Sequence, residues 1–450
     1  MSHTVSTEMA RFVTGLRFED VPERVTSAAA QQIMDTLGVA FAGARTGAAP
    51  AARLMARQHP RREGAPVVGD DGGVEVPVAL LANGILAHAL DFDNTHTGSM
   101  AHVGAAVGPT AWTLGAVLHA PGSEVLRAYI AGVECVARLG QAVPGAFHRH
   151  GFHATPVLGV FGAVLAGAVL SQATPEVIVN ALGIAGSAAA GLLEYHTAGT
   201  ANKQLHPGLA ANQAFLALQL ATAGADGPDT VFEGPFGLFA THVGEIPAKI
   251  EMATLGKTWE TLEVTTKPYP ACNLVHFAID CLGQLRDQLD VTQVRSVRIR
   301  GPKEIVPLVV EPLAAKLSPR NAYEAKFSMH YCAARFLLDG VLGVDSFGAE
   351  AVSDPRALAL ARQVVFEPQD DPGYPANLGG SVCVTLADGR ELSASVETSR
   401  GSPARPLTPS AMAAKFKANM APATGYAHAE ETAAQLAALA DAEDCFAPVS

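Results

Sequence analysis

Between Gly104 and Leu220 the chain is built on Ala, Gly and Leu, with apolar residues at helical spacing and breaks at Pro121-Gly122, Pro144-Gly145, Thr174-Pro175 and Pro207-Gly208. That pattern predicts several helices in sequence, with small residues that let their axes come close. Much of this surface is apolar and has to be covered. Hydrophobic residues make up 49% of the 450, charged residues only 16%, and the mean hydropathy is +0.21; soluble chains carry about 25% charge. A helical core, a membrane and an oligomer interface are the three outlets. The longest apolar run, Ala154–Leu170, has 17 residues, one Pro and three Gly, short of the roughly 20 that cross a bilayer. No membrane span is expected, which leaves the core and an interface.

The flanking segments agree. Residues 7–45 read as helices, with Pro22 near a helix start, and Ala79–Leu90 reads as another. Val67–Pro77 reads as a short turn between β-like residues. The start of the chain shows no basic segment followed by an apolar one, so no secretory signal is expected. Six scattered cysteines without a C-x-x-C pair point to a reducing, cytoplasmic setting. The net charge is −12, with no basic run, which argues against nucleic acid as a partner.

The texture then changes. Gln293–Arg300 alternates apolar and polar residues, and so does Ser381–Thr398, with Asp388-Gly389 at its centre. Asp-Gly between two alternating runs is a strong hairpin signal. With helices read at His276–Leu289, Ala325–Leu338 and Asp354–Arg362, residues 264–402 form an expected α+β domain. Gly401–Pro409 reads as a linker, and helices return at Pro409–Ala421 and Ala427–Ala442, the latter leading into an acidic tail.

Familiar nucleotide and hydrolase motifs fail. Gly256-Lys257-Thr258 lacks the upstream glycine of a P-loop, since that position is Glu251, and the residues around Ser187 do not make G-x-S-x-G. The titratable residues carry more information. Nine of 15 histidines lie between His88 and His206, and polar groups in an apolar region cost free energy unless paired. They group with other polar residues in five places. Asp91, Asp93, Thr95, His96 and His102 sit where a helix ends. His148, His150 and His153 precede the Ala154–Leu170 helix and Thr155 lies at its start, a position suited to an anion. Asn202, Lys203 and His206 adjoin a Pro-Gly turn, and Lys203 makes sense as a counter-charge to a carboxylate. Lys267, Tyr269, Cys272 and His276 lie at the domain boundary, and Lys326, Ser328, His330 and Tyr331 follow. Each group also has a plain structural use as a cap or loop anchor. The first could hold a metal, although no tight ligand spacing such as H-E-x-x-H is present.

These groups, in this order, resemble the MmgE/PrpD family. The matching stretches are Ala82–His96 with His102 after it, Gly151–Thr155, Ala181–Gly186, Lys203–Gly208, Phe232–Gly237, Lys267–Pro270 and Ala325–Ser328. The resemblance implies a large helical domain (residues 1–263 and 403–450), a smaller α+β lid domain (264–402), a homodimer, and no metal or organic cofactor. It also implies that Asp91, Thr95, His102, His153, Lys203, Lys267 and Tyr331 line the pocket of the aconitate decarboxylase branch. Cys272 stands where that branch has a histidine, Asn273 replaces a usual basic residue, and His102-Val103-Gly104 replaces His-Pro-Ser.

The family's reactions remove a proton or CO₂ beside a carboxylate. His102 or His153 is expected to move the proton, Lys203 and Lys267 to stabilise developing charge, and Asp91 to hold a histidine. Thr95, Tyr331, Cys272 and His206 are expected to contact a small carboxylate substrate. The expected activity is dehydration of a 2-methylcitrate-like hydroxy acid. The alternatives are epimerisation of an iminodisuccinate-like substituted succinate, decarboxylation of a cis-aconitate-like acid, and non-catalytic binding of polycarboxylates by a dimer.

Overall fold

The computed structural model describes residues 3–46, 49–371, 373–374 and 377–445. The chain forms two compact units, one of Met1–Thr266 with Thr408–Ser450 and one of Lys267–Leu407. The first is helical apart from short strand pairs, and the second combines helices with a four-stranded sheet.

At the centre of the first unit is the helix Ala154–Leu170, every residue of which is buried. Its sequence is apolar all round, the mark of a helix with no solvent face. It packs against Gly104–Leu118, Gly122–Gln141 and His206–Thr222. A Cβ on Gly84 would lie 2.6 Å from Gly208 Cα, and one on Gly208 only 2.2 Å from Leu81 O. These two glycines let the start of the His206–Thr222 helix touch the helix Val76–His88, which brings the Lys203–His206 segment to the end of that helix.

Helix starts follow the expected chemistry. Thr4 caps Val5–Gly15 with a reciprocal Thr4/Thr7 pair, and Thr174 and Thr408 cap Pro175–Ala185 and Pro409–Thr424, each with proline in the first turn. The segment 251–261 is tied down by the Gly122–Gln141 helix: Arg138 donates to the carbonyls of Glu251 and Thr258, and Glu134 accepts from the backbone and hydroxyl of Thr261. Thr95–His96 pairs with Val264–Thr265. His96 reaches Glu260 Oε2 at 3.2 Å and Ser99 at 3.0 Å, so it pins this pairing in place. From the helix Pro409–Thr424, Lys415 Nζ pairs with Asp35 Oδ1 at 2.5 Å, donates to Phe92 O and lies 3.7 Å from the Phe92 ring centroid. The returning chain thereby braces the Leu90–Asp93 turn from behind.

The sheet of the second unit runs in the order Val364–Gln369, Val294–Pro302, Gly380–Leu386, Glu391–Val396. Its first pair is parallel and the others antiparallel. Val297, Ile299, Val382 and Val384 are fully buried, while Arg298, Arg300, Cys383 and Ser393 alternate with them on the other face. The hairpin expected at Asp388-Gly389 is present: Gly389 has φ +86°, and Asp388 accepts from Arg390 N. The helix read as Ala325–Leu338 is broken at Phe327-Ser328, where Ser328 caps a new helix, Met329–Asp339. Ser328 Oγ also donates to Lys316 O, so the break buys a cap and a tertiary contact together.

Candidate active site

The helix Val76–His88 is followed by the sequence Ala-Leu-Asp-Phe-Asp, and the chain turns at Asp91, which takes φ +52°. A left-handed non-glycine residue at a buried turn is strained and has to be held by its surroundings. Here the Lys203 ammonium holds it, donating to Asp91 Oδ1 at 2.8 Å with both side chains largely buried. Lys203 comes from the short turn Ala201–Leu205, whose position is set by the Gly84–Gly208 contact.

Two residues on, Asp93 is fully buried and one of its oxygens serves two imidazoles. His88 Nδ1 lies 2.9 Å and His102 Nδ1 3.0 Å from Asp93 Oδ2. A carboxylate only accepts, so both histidines carry a proton on Nδ1. Burial alone would raise the Asp93 carboxyl; the imidazoles of His102 and His88 outweigh it and hold it well below the usual carboxylate range. Burial pushes His88 down to about 4 despite the pull of Asp93. For His102 the remaining nitrogen, Nε2, faces Asp91 Oδ1 at 3.6 Å, the oxygen that Lys203 also holds. Thr95 Oγ1 stands 3.3 Å from His102 Nδ1, and the His102 backbone N–H donates to Thr155 Oγ1. The first polar group is thereby anchored to the start of the buried central helix.

The second histidine group meets it there. His153 immediately precedes the helix Ala154–Leu170, and its backbone N–H donates to Gly191 O. Its ring lies 5.8 Å from His88, centroid to centroid, and His88 in turn lies 4.6 Å from His102. His88 is therefore the spacer between the two histidines expected to do chemistry. His153 Nδ1 lies 3.1 Å from His206 Nδ1, and His206 Nε2 lies 3.3 Å from Asn202 Nδ2. Tyr195 packs edge-on to both rings. Burial, with Lys203 adding to it, keeps His153 well below its ordinary value, and burial takes His206 to about 4.

Of the residues expected from sequence, Asp91, Thr95, His102, His153, Lys203 and His206 form one connected set in the helical unit. The remaining three belong to the α+β unit. Lys267 is buried at its start, and Cys272 precedes the short turn Asn273–Val275, its backbone N–H donating to Lys326 O. Tyr331 is fully buried and its hydroxyl donates to Ser346 O at 2.7 Å, so that donor is already in use. Sequence reasoning passed over His88, which stands at the end of an apolar helical run, and did not separate Asp93 from Asp91. His88, Asp93 and His102 also place three possible ligand atoms within 4.8 Å of one another, a donor set that could take a divalent cation. Two N–H groups sharing one carboxylate oxygen account for the distances among them without an ion.

Residues 7–251 match the MmgE/PrpD N-terminal domain and residues 269–441 the MmgE/PrpD C-terminal domain. The chain belongs to the MmgE/PrpD family. It is similar over its whole length to curated members of that family: 27% identical to the cis-aconitate decarboxylase of Homo sapiens, over 99% of this chain and 94% of that protein. The Mus musculus enzyme of the same name is 26% identical over 99% and 92%, and that of Aspergillus terreus 25% over 88% and 85%. Membership makes the chain an enzyme of a lyase-type family. Among the described residues no helix is long and apolar enough to cross a membrane.

Proposed function

We propose that this MmgE/PrpD chain is a lyase that moves a proton at the carbon beside a carboxylate of a small di- or tricarboxylate, without a bound cofactor. One observation carries the reading: His102 is locked by Asp93 through Nδ1, which leaves Nε2 as its working nitrogen next to the Lys203–Asp91 pair. A base oriented through one nitrogen, with the other beside a lysine–carboxylate pair, is an arrangement suited to proton transfer. Lys203 supplies positive charge where a substrate carboxylate and the developing enolate-like oxygens gather it.

For a 2-methylcitrate-like hydroxy acid, His102 Nε2 takes the proton from carbon. The C–H electrons become the C=C bond, and the β-hydroxyl leaves as water with the proton that His102 took, which restores the neutral imidazole. The second reading is decarboxylation of a cis-aconitate-like acid, which the names of the relatives favour: CO₂ leaves and protonated His102 returns its proton to carbon. His102 serves both directions of transfer. The chain is further proposed to work in the cytoplasm as a homodimer. The exposed leucines Leu209, Leu216 and Leu220, spaced along one face of the His206–Thr222 helix, support a covered interface there, and sedimentation in solution tests it.

The test of activity is incubation with 2-methylcitrate, citrate, cis-aconitate and iminodisuccinate in deuterated water. Unsaturated product, CO₂ release and deuterium uptake are followed separately. Loss of water supports the first reading and loss of CO₂ the second; deuterium uptake without net conversion indicates epimerisation. No loss of water, no loss of CO₂ and no uptake with any of the acids contradicts proton transfer beside a carboxylate.

A further inference from the structure

His153 and His206 place two ring nitrogens 3.1 Å apart, Nδ1 to Nδ1. At that distance one nitrogen donates and the other accepts. Asn202 decides which. Its amide nitrogen Nδ2 lies 3.3 Å from His206 Nε2, and an amide nitrogen only donates. His206 Nε2 is then a lone pair, and the single proton of a neutral His206 sits on Nδ1, where it is donated to His153. His153 Nδ1 accepts it, so the proton of a neutral His153 sits on Nε2. Burial keeps both rings neutral. A cationic His206 would also turn an N–H against the Asn202 amide hydrogens.

We propose that Asn202 is a positioning residue which, through His206, fixes His153 as its Nε2–H tautomer, so that His153 acts as a neutral hydrogen-bond donor to the substrate and not as the base. The role in turnover rests on the lyase reading above; the tautomer does not. The chemistry complements His102. Asp93 leaves His102 with a lone pair at Nε2, whereas Asn202 leaves His153 with a hydrogen there. A neutral imidazole N–H can polarise a carboxylate or meet a developing enolate oxygen without taking the proton itself. The two imidazoles, separated by the His88 ring, are thus assigned opposite duties by what stands behind them.

Asn202→Asp reverses the wire. A carboxylate accepts from His206 Nε2–H, His206 Nδ1 becomes the acceptor, and His153 is left with its proton on Nδ1 and a bare Nε2. Histidine-selective ¹⁵N labelling of the full chain, without substrate, distinguishes protonated from bare ring nitrogens, with His153→Gln and His206→Gln used to assign the signals. The expected wild-type result is a protonated Nε2 and bare Nδ1 on His153, and the opposite on His206. In Asn202→Asp both patterns should invert. With whichever acid the wild type converts, kcat should fall about 100-fold, the order seen when one donor to a developing oxyanion is lost, with KM nearly unchanged. Asn202→Ala should scramble the tautomers and cost less. A wild-type His153 protonated on Nδ1 overturns the proposal, and so does an Asn202→Asp spectrum with unchanged tautomers. The wild-type spectrum decides the matter even if a variant fails to fold. It also separates this inference from the proposed activity: the tautomers can stand as assigned with none of the acids turned over.

Discussion

Two histidines approach the same site with different backing. His102 is backed by a carboxylate that is buried, ionised and shared with His88. His153 is backed by a second imidazole and an exposed amide. The residue types at the front are the same, so the chemistry each can do is written in the second partner. A carboxylate behind an imidazole favours taking a proton at the far nitrogen, because the imidazolium that forms is stabilised. A neutral wire offers no such stabilisation, and a buried imidazole there stays neutral.

That contrast can be broken most severely at His102. His102→Gln keeps a polar side chain of similar reach but removes the base, and turnover should fall by about 10³–10⁴-fold while circular dichroism and the thermal midpoint stay near wild type. Lys203→Ala should also abolish turnover in a folded chain. Asp93→Asn comes next: the amide carries no charge to stabilise an imidazolium, and its NH₂ can turn to a ring nitrogen, so the His102 tautomer is no longer enforced. A fall in kcat of about 10²–10³-fold is expected, with substrate affinity much less affected. A loss no larger than that of Asn202→Ala would show that the carboxylate has no special role.

Smaller effects sharpen the geometry. Gly208→Ala drives a methyl group to 2.2 Å from Leu81 O, so the Lys203–His206 segment must move away from the His88 helix. A loss of about 1–3 kcal/mol in denaturant unfolding is expected. Acid should act on both histidine groups. His88 and His153 lie below their ordinary value in the folded chain, His88 at about 4. The unfolded chain therefore binds protons that the folded one refuses once the pH drops under about 6.5. Their contribution to stability is complete above that pH and is lost on acidification, for His88 by up to about 1.4 kcal/mol per pH unit between pH 6.5 and 4. His88→Asn should flatten that slope, and an unchanged slope would contradict the burial of a neutral ring.

Local signals made much of the molecule legible in the sequence. The Ala/Gly-rich helices, the all-round apolar Ala154–Leu170 and the Asp388-Gly389 hairpin each declare themselves within a few residues. The parallel pairing of Val297 with Val364 does not, because its register is set by partners far apart in the chain. The same holds for Thr95 with Thr265. At the site, clustering of titratable groups in an apolar region marked the stretches that hold Asp91, His102, His153, Lys203 and His206, and the family resemblance singled out the first four of these. His88 carried no local sign, since its polar partner, Asp93, becomes its neighbour only when the chain turns left-handed at Asp91. Lys415 is hidden for a related reason: its partners Asp35 and Phe92 are hundreds of residues away. Tyr331 is expected from sequence to contact the substrate; in the fold its hydroxyl donates to Ser346 O, a partner that no local signal announces.

Solvent deuterium in the wild type and in His102→Gln tests the central claim most directly. With an acid that the wild type converts, solvent deuterium should enter recovered hydroxy acid or decarboxylated product at the carbon beside the carboxylate, and in His102→Gln the rate of that labelling should fall about 10³-fold or more. Equal rates of labelling by the two proteins would contradict His102 as the group that moves the proton.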